Sequence, residues 1–230
     1  MKEVKAVFFD IDNTLFDTQR LAEASRRNAI RAMIESGLNV EEDDAYERLI
    51  AIVKKYGSNY GNHYDELLKQ YKQGGNPHII AAGIVAYHST KFAYLVPFQD
   101  TVPTLIKLRD IGLKLGVITD GIAVKQWSKL ISLGLQHFFH AVIISEEKGV
   151  SKPETTQFLD ACQEVGCLPH EAVMVGDRLD KDILGANIAG MTSVQLLKKP
   201  NEDKPNPNSD REEPDYIISK LSDLVELLTK

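Results

Sequence analysis

At 230 residues, 43% hydrophobic and 26% charged, the chain has the composition of a folded globular protein, and its length fits one core with a modest insertion. The net charge of −6 argues against a general nucleic-acid or membrane-surface binder, which needs a concentrated basic face. Cys162 and Cys167 have the spacing of neither a C-x-x-C redox motif nor a zinc site, and read as buried thiols in a reducing, cytoplasmic setting.

In chain order, Val4–Phe9 is a β-branched and aromatic run that predicts a strand buried on both faces and ending at Asp10. The residues before Asp10 lack the long apolar region of a signal peptide, and no segment has the apolar length to span a bilayer. From Thr18 to about Leu95 the apolar pattern is helical, as at Ala45, Leu49, Ile52, Val53 and Tyr56, with Gly37, Gly57 and Gly74-Gly75-Asn76-Pro77 as punctuation. After Pro97, helices near 100–111, 123–133, 154–166 and 181–189 alternate with strands at 113–119, 141–145, 172–176 and 192–197. That alternation predicts a parallel sheet covered by helices. Lys198–Pro214 reads as a solvated loop, and a strand at 216–218 with a helix around 221–228 closes the chain. The fold class is therefore α/β: a Rossmann-like core from residues 1–17 and 97–230 with helices on both faces, plus an inserted all-helical region over 18–96.

Open parallel sheets bind ligands beyond the carboxyl ends of their strands, where four polar clusters fall: Asp10-Ile11-Asp12-Asn13-Thr14, Thr119-Asp120-Gly121, Ser151-Lys152-Pro153, and Gly176-Asp177 with Asp180 and Asp182. Two carboxylates in one tight turn, Asp10 and Asp12, repel unless a cation or a shared proton intervenes. Mg²⁺ prefers such hard oxygen donors, and Asp177 adds another. The alternative for the pair is a solvated turn. Thr119 offers a hydroxyl and a neighbouring backbone N–H to phosphate oxygens, or else is a turn or cap residue. Lys152 precedes Pro153 and the helix expected to start there, so cation and helix N-terminus together suit an anion; a surface lysine is the alternative. Asp177 and Asp182 also read as helix-capping and first-turn acids.

Taken in order, the four clusters resemble the motifs of the haloacid dehalogenase-like (HAD) hydrolase superfamily, across nearly the whole chain. The resemblance implies that Asp10 is a nucleophile forming an aspartyl-phosphate, Asp12 the general acid/base, Thr119 and Lys152 phosphoryl-binding, and Mg²⁺ the cofactor. It makes Asp10, Asp177 and the backbone carbonyl of Asp12 the metal ligands, and Asp182 a support behind them. It also makes 18–96 a C1-type cap. Within the superfamily the chain resembles the archaeal members of the glyceraldehyde 3-phosphate phosphatase type. Relatives that cleave carbon–halogen bonds lack the acid two places after the nucleophile, so Asp12 points to phosphoryl transfer. The expected partner is a small phosphorylated metabolite. Phosphomutase action, or a binding protein without turnover, are the other readings; no heptad or apolar stripe declares an oligomeric state. One departure is Asp120, where many relatives have Asn: a carboxylate cannot donate to phosphate, which leaves only the backbone N–H of that residue for such a contact.

The six histidines lack metal spacing and read as surface or capping residues. Trp127 with Val124, Leu130 and Ile131 predicts one apolar helix face covering the sheet. Tyr56, Tyr60, Tyr64 and Tyr71 read as helix packing, with a pocket lining as the alternative.

Overall fold

The computed structural model describes residues 4–198, 207 and 209–229. Of the predicted loop Lys198–Pro214, residues 199–206 and 208 lie outside the described residues. The chain divides into two compact units, Met1–Asp17 with Val96–Lys230, and Thr18–Leu95.

The first unit is built on six strands: β1 Ala6–Phe9, β2 Lys114–Thr119, β3 Ala141–Ile144, β4 Ala172–Gly176, β5 Thr192–Leu196 and β6 Tyr216–Ile218. They form one sheet in the order β3-β2-β1-β4-β5-β6, with every neighbouring pair parallel. Every residue of β1 and β4 is buried, which is why both strands read as continuous apolar runs instead of alternating ones. Side chains on one face of β1 and β4, Ala6, Phe8, Ala172 and Met174, pack with Phe158, Ala161 and Cys162 of α8 (Thr155–Val165) and Ala186 of α9 (Leu184–Ala189). Each fully buried side chain of the size of Phe8 or Phe158 contributes roughly 1.5–3 kcal/mol of hydrophobic stabilisation. Alternation along the strand sends Val7 and Phe9 to the opposite face. Leu105 and Leu108 of α5 (Thr101–Asp110) and Leu224 of α10 (Asp223–Thr229) are also buried, with α5 packing on β2 and α10 on α5.

Three local features differ from the expectation. The helix predicted near 181–189 starts as a π-helical turn, Leu179–Ile183, before α9. The Arg178 carbonyl accepts from both Asp182 N–H (2.9 Å) and Ile183 N–H (3.2 Å), and the extra residue in the turn places Asp182 inward. Pro153 does not begin a helix: α8 starts at Thr155, and Pro153 lies in a turn closed by Glu154 N–H to Ser151 O at 3.0 Å, after a cis Lys152–Pro153 peptide. In α6 (Ala123–Ser132) the buried side chains are Gln126 and Leu130, whereas Val124 is 74% and Ile131 58% exposed and Trp127 only partly buried. Leu130 fits either face of this helix, and a glutamine decides between them for a reason of chemistry that apolar periodicity does not register.

The second unit consists of α1 (Thr18–Glu35), α2 (Glu42–Tyr56), α3 (His63–Gln70) and α4 (Pro77–Tyr94). Ile30, Met33, Ala45, Leu49, Ile52, Leu67, Leu68 and Ile79 form its core, with Tyr64 and Tyr71 packed against it. The punctuation follows backbone need: Gly57 ends α2 at φ +82°, a conformation that opposes a side chain, and Asn76 caps α4 by accepting from His78 and Ile79 N–H, with Pro77 at the first helical position. No described helix is long and apolar enough to cross a membrane. Cys162 and Cys167 are unbridged thiols.

Candidate active site

The strand order reverses direction between β1 and β4: the chain moves outward from β1 to β2 and β3, then returns to lay β4 on the other side of β1. Crossover chains diverge at such a point and leave a crevice at the carboxyl ends of the two strands. Asp10 directly follows β1 and Asp177 directly follows β4, because the register pairs Phe9 with Val175 and Asp10 N–H donates to Val175 O at 3.0 Å. Fold topology thus brings together two acids 167 residues apart in number.

Asp182 joins them from the π-helical turn, and carboxylate oxygens of Asp10, Asp177 and Asp182 lie within 4.8 Å of one another. The close approach requires Gly176, since a β-carbon at that position would overlap the Asp182 carboxylate. Lys152 is the counter-charge. Its Nζ donates to Asp10 Oδ1 at 2.7 Å, Asp182 Oδ1 at 2.6 Å and Ile118 O at 3.0 Å, and its side chain is only 3% exposed. The surface-lysine alternative is therefore excluded. Asp182 Oδ2 accepts from Arg178 N–H at 3.1 Å, and Asp177 Oδ2 from Asn13 Nδ2 at 3.3 Å.

Burial makes this arrangement electrically expensive. It pushes the Asp10 carboxyl up to about 6; Lys152 opposes the rise and Asp182 adds to it. Burial, then the charge of Asp10, raises Asp177 to about 6 as well. Asp182 is likewise raised by burial, against the pull of Lys152. Burial alone would lower Lys152, but the charges of Asp10 and Asp182 hold it above its ordinary value. Three carboxylates facing one ammonium leave a surplus of negative charge in a site whose donors are all oxygens. That is the donor chemistry of a hard divalent cation.

Thr119 ends β2 and is 1% exposed, with its hydroxyl oxygen accepting from Gln126 Nε2 at 2.9 Å. Since the preceding carbonyl, Ile118 O, accepts from Lys152, this strand end adjoins the carboxylate cluster. The side chain of Asp12 is not part of the cluster. Both its oxygens accept from Lys129 Nζ, at 2.7 and 2.6 Å, so the Asp10–Asp12 repulsion expected from sequence is divided between two lysines. Both side-chain oxygens of Asp120 are engaged: Oδ1 accepts from Lys152 N–H at 2.9 Å and Oδ2 from Lys181 Nζ at 2.8 Å. Burial raises its pKa, but these donors more than offset it and hold the group below the usual carboxylate range. The loop after β2 is further fixed by Gly121 N–H to Ser145 Oγ and Ala123 N–H to Glu146 Oε2, each 2.8 Å, both acceptors lying on the short helix α7 (Ser145–Lys148).

Gln126, Lys129 and Lys181 are thus residues that sequence reading passed over. Their signal is weak: in α6 the polar Gln126 and Lys129 lie among the apolar Val124, Trp127, Leu130 and Ile131.

Comparison with known proteins places the chain among characterised families. The haloacid dehalogenase-like hydrolase family matches residues 4–190. A glyceraldehyde 3-phosphate phosphatase of Methanopyrus kandleri is 51% identical over 98% of this chain and 97% of its own. The crystal structure of an HAD phosphatase from Thermococcus onnurineus is 29% identical, with a TM-score of 0.68 and 98% of both chains covered. A magnesium-bound HAD hydrolase from Bacillus subtilis shares the fold at 22% identity, with a TM-score of 0.71 and full coverage of both chains. With carboxylates, lysine and threonine at the strand ends, and with the match running through nearly the whole chain, this protein belongs to the haloacid dehalogenase-like hydrolase family.

Proposed function

We propose that the protein is a magnesium-dependent phosphatase that hydrolyses a small phosphate monoester through an aspartyl-phosphate on Asp10, with glyceraldehyde 3-phosphate as the first substrate to test. The observation that carries this reading is the buried cluster in which Lys152 Nζ bridges Asp10 and Asp182 beside Asp177. That choice of substrate is supported by a relative, a glyceraldehyde 3-phosphate phosphatase, that is 51% identical along almost the entire length. The sheet unit is then the catalytic core, and the helical unit a cap that selects the leaving group.

A phosphate ester resists attack until its charge is neutralised and its attacker aligned. Asp10 and Asp177, with the backbone carbonyl of Asp12, would hold Mg²⁺, and Asp182 would steady the cluster through Lys152. When bound, the ion neutralises phosphoryl charge and lets Asp10 remain ionised. Asp10 attacks phosphorus and the ester oxygen departs. Lys152 and the Thr119 hydroxyl hold the equatorial oxygens, whose charge they meet in a water-poor environment where such contacts act strongly. Asp12 gives a proton to the leaving oxygen, then takes one from the water that opens the acyl phosphate. In the structure Asp12 is held by Lys129, so this pair opens before proton transfer. The two free thiols accord with a reducing cytoplasm, and nothing in the proposed reaction calls for nucleic acid or membrane.

The test is phosphate release from a panel of small esters including glyceraldehyde 3-phosphate, with EDTA and Mg²⁺ re-addition. Stoichiometric free phosphate, lost with EDTA, restored by Mg²⁺ and absent in Asp10→Asn, is expected. Phosphoryl return to a second hydroxyl of a sugar phosphate would make the protein a mutase, and activity in Asp10→Asn would end the covalent assignment.

A further inference from the structure

Gln126 is a polar side chain in the buried face of α6, 2% exposed. Its Nε2 is 2.5 Å from Asp120 O and 2.9 Å from Thr119 Oγ1. A carbonyl oxygen can only accept, so the atom facing Asp120 O has to be the amide nitrogen, and the orientation of the amide is settled by its partner. The second N–H of the same nitrogen is directed to the Thr119 hydroxyl.

A hydroxyl has one proton and two lone pairs. With a lone pair engaged by Gln126, the Thr119 proton points away from the amide nitrogen. The other end of the amide supplies a second argument: Gln126 Oε1 is buried without a partner among the described residues. An unmet buried acceptor destabilises a fold, and an apolar side chain of similar size would avoid it. A glutamine with one end unsatisfied is explained by what its other end does.

We propose that Gln126 is a positioning residue: by donating to both Thr119 Oγ1 and Asp120 O, it turns the Thr119 hydroxyl proton toward the phosphoryl oxygen and fixes the peptide that follows. The inference rests on the reading of Thr119 as a phosphoryl-binding residue. It also accounts for the glutamine on the buried face of α6, where Val124 and Ile131 were expected.

The experiment is a double-mutant cycle in the full chain, with Gln126→Met, Thr119→Val and the pair, measuring kcat/KM for glyceraldehyde 3-phosphate and the thermal midpoint. Gln126→Met should lower kcat/KM about tenfold, the loss of one oriented hydrogen bond, without lowering the midpoint. In the Thr119→Val background the same substitution should change kcat/KM less than about twofold. An equal loss in both backgrounds, or a wild-type rate in Gln126→Met when Thr119→Val is impaired, overturns the positioning role alone. A wild-type rate in Thr119→Val overturns the reading of Thr119 and the inference with it. If the methionine variant does not fold, Gln126→Leu takes its place in the cycle.

Discussion

Replacing Lys152 by methionine removes the ammonium that lies between two buried acids while keeping most of the side-chain volume. In the structure its Nζ is 2.7 Å from Asp10 and 2.6 Å from Asp182, with both partners under a tenth exposed. Breaking a buried pair by deleting one member costs about 3–5 kcal/mol, because the remaining charges stay desolvated. In a protein of this size each kcal/mol corresponds to about 2–4 °C, so the midpoint of the metal-free variant should fall by about 6–20 °C near pH 8. The pH dependence gives the sharper test. Asp10 already titrates near 6 with Lys152 present, above its ordinary 3.8, and without that cation it rises further. A carboxyl whose folded pKa exceeds its unfolded value binds more protons when folded, so its cost is fully present above the folded pKa and fades as pH falls through it. The deficit of Lys152→Met should therefore shrink between pH 8 and pH 5, and Mg²⁺ should raise the midpoint of the variant more than that of wild type. Turnover should drop about 10²–10³-fold, as when a charge-stabilising donor is lost. Scanning calorimetry across pH, with EDTA or Mg²⁺, measures the stability part. A deficit below about 2 °C, or one equal at pH 5 and pH 8, would refute the reasoning.

Three further outcomes follow from the same geometry. Asp12→Asn should still give a burst of phenol from an activated aryl phosphate and then turn over slowly, about 10²–10⁴-fold below wild type, while alkyl phosphates fail at the first step; rapid mixing checks this, and equal slowing of burst and steady state would remove Asp12 from the acid/base role. Gly176→Ala forces the Asp182 carboxylate away from the end of β4, so a midpoint loss equivalent to about 1–3 kcal/mol, with reduced turnover, is expected; wild-type values for both would contradict the close approach. Asp120→Asn keeps an oxygen for the Lys152 N–H and should hold kcat/KM within about threefold, whereas Asp120→Ala releases both Lys152 and Lys181 and should lower it about tenfold or more; equal effects of the two would mean that the backbone bond to Lys152 is unimportant.

The sequence by itself determined the parallel α/β architecture, because apolar runs such as Ala6–Phe9 and Ala172–Gly176 and the helical periodicity around Leu49 and Leu67 are local patterns whose physical cause is local. It also placed Asp10, Thr119, Lys152 and Asp177 at or just beyond strand ends or in the connecting turns, since those signals lie within a few residues of each element. What it could not determine was partnership. Lys129 reaches Asp12 across 117 positions, Lys181 reaches Asp120 across 61, and Lys152 reaches Asp10 across 142. These meetings depend on crossovers that lay β4 beside β1 and α6 beside the first loop, and nothing in the residues adjacent to either partner encodes them. The π-helical turn and the inward face of α6 were hidden for a related reason. Asp182 and Gln126 look like solvent-facing residues to any rule based on polarity, and only the tertiary structure supplies the buried partners that hold them inside.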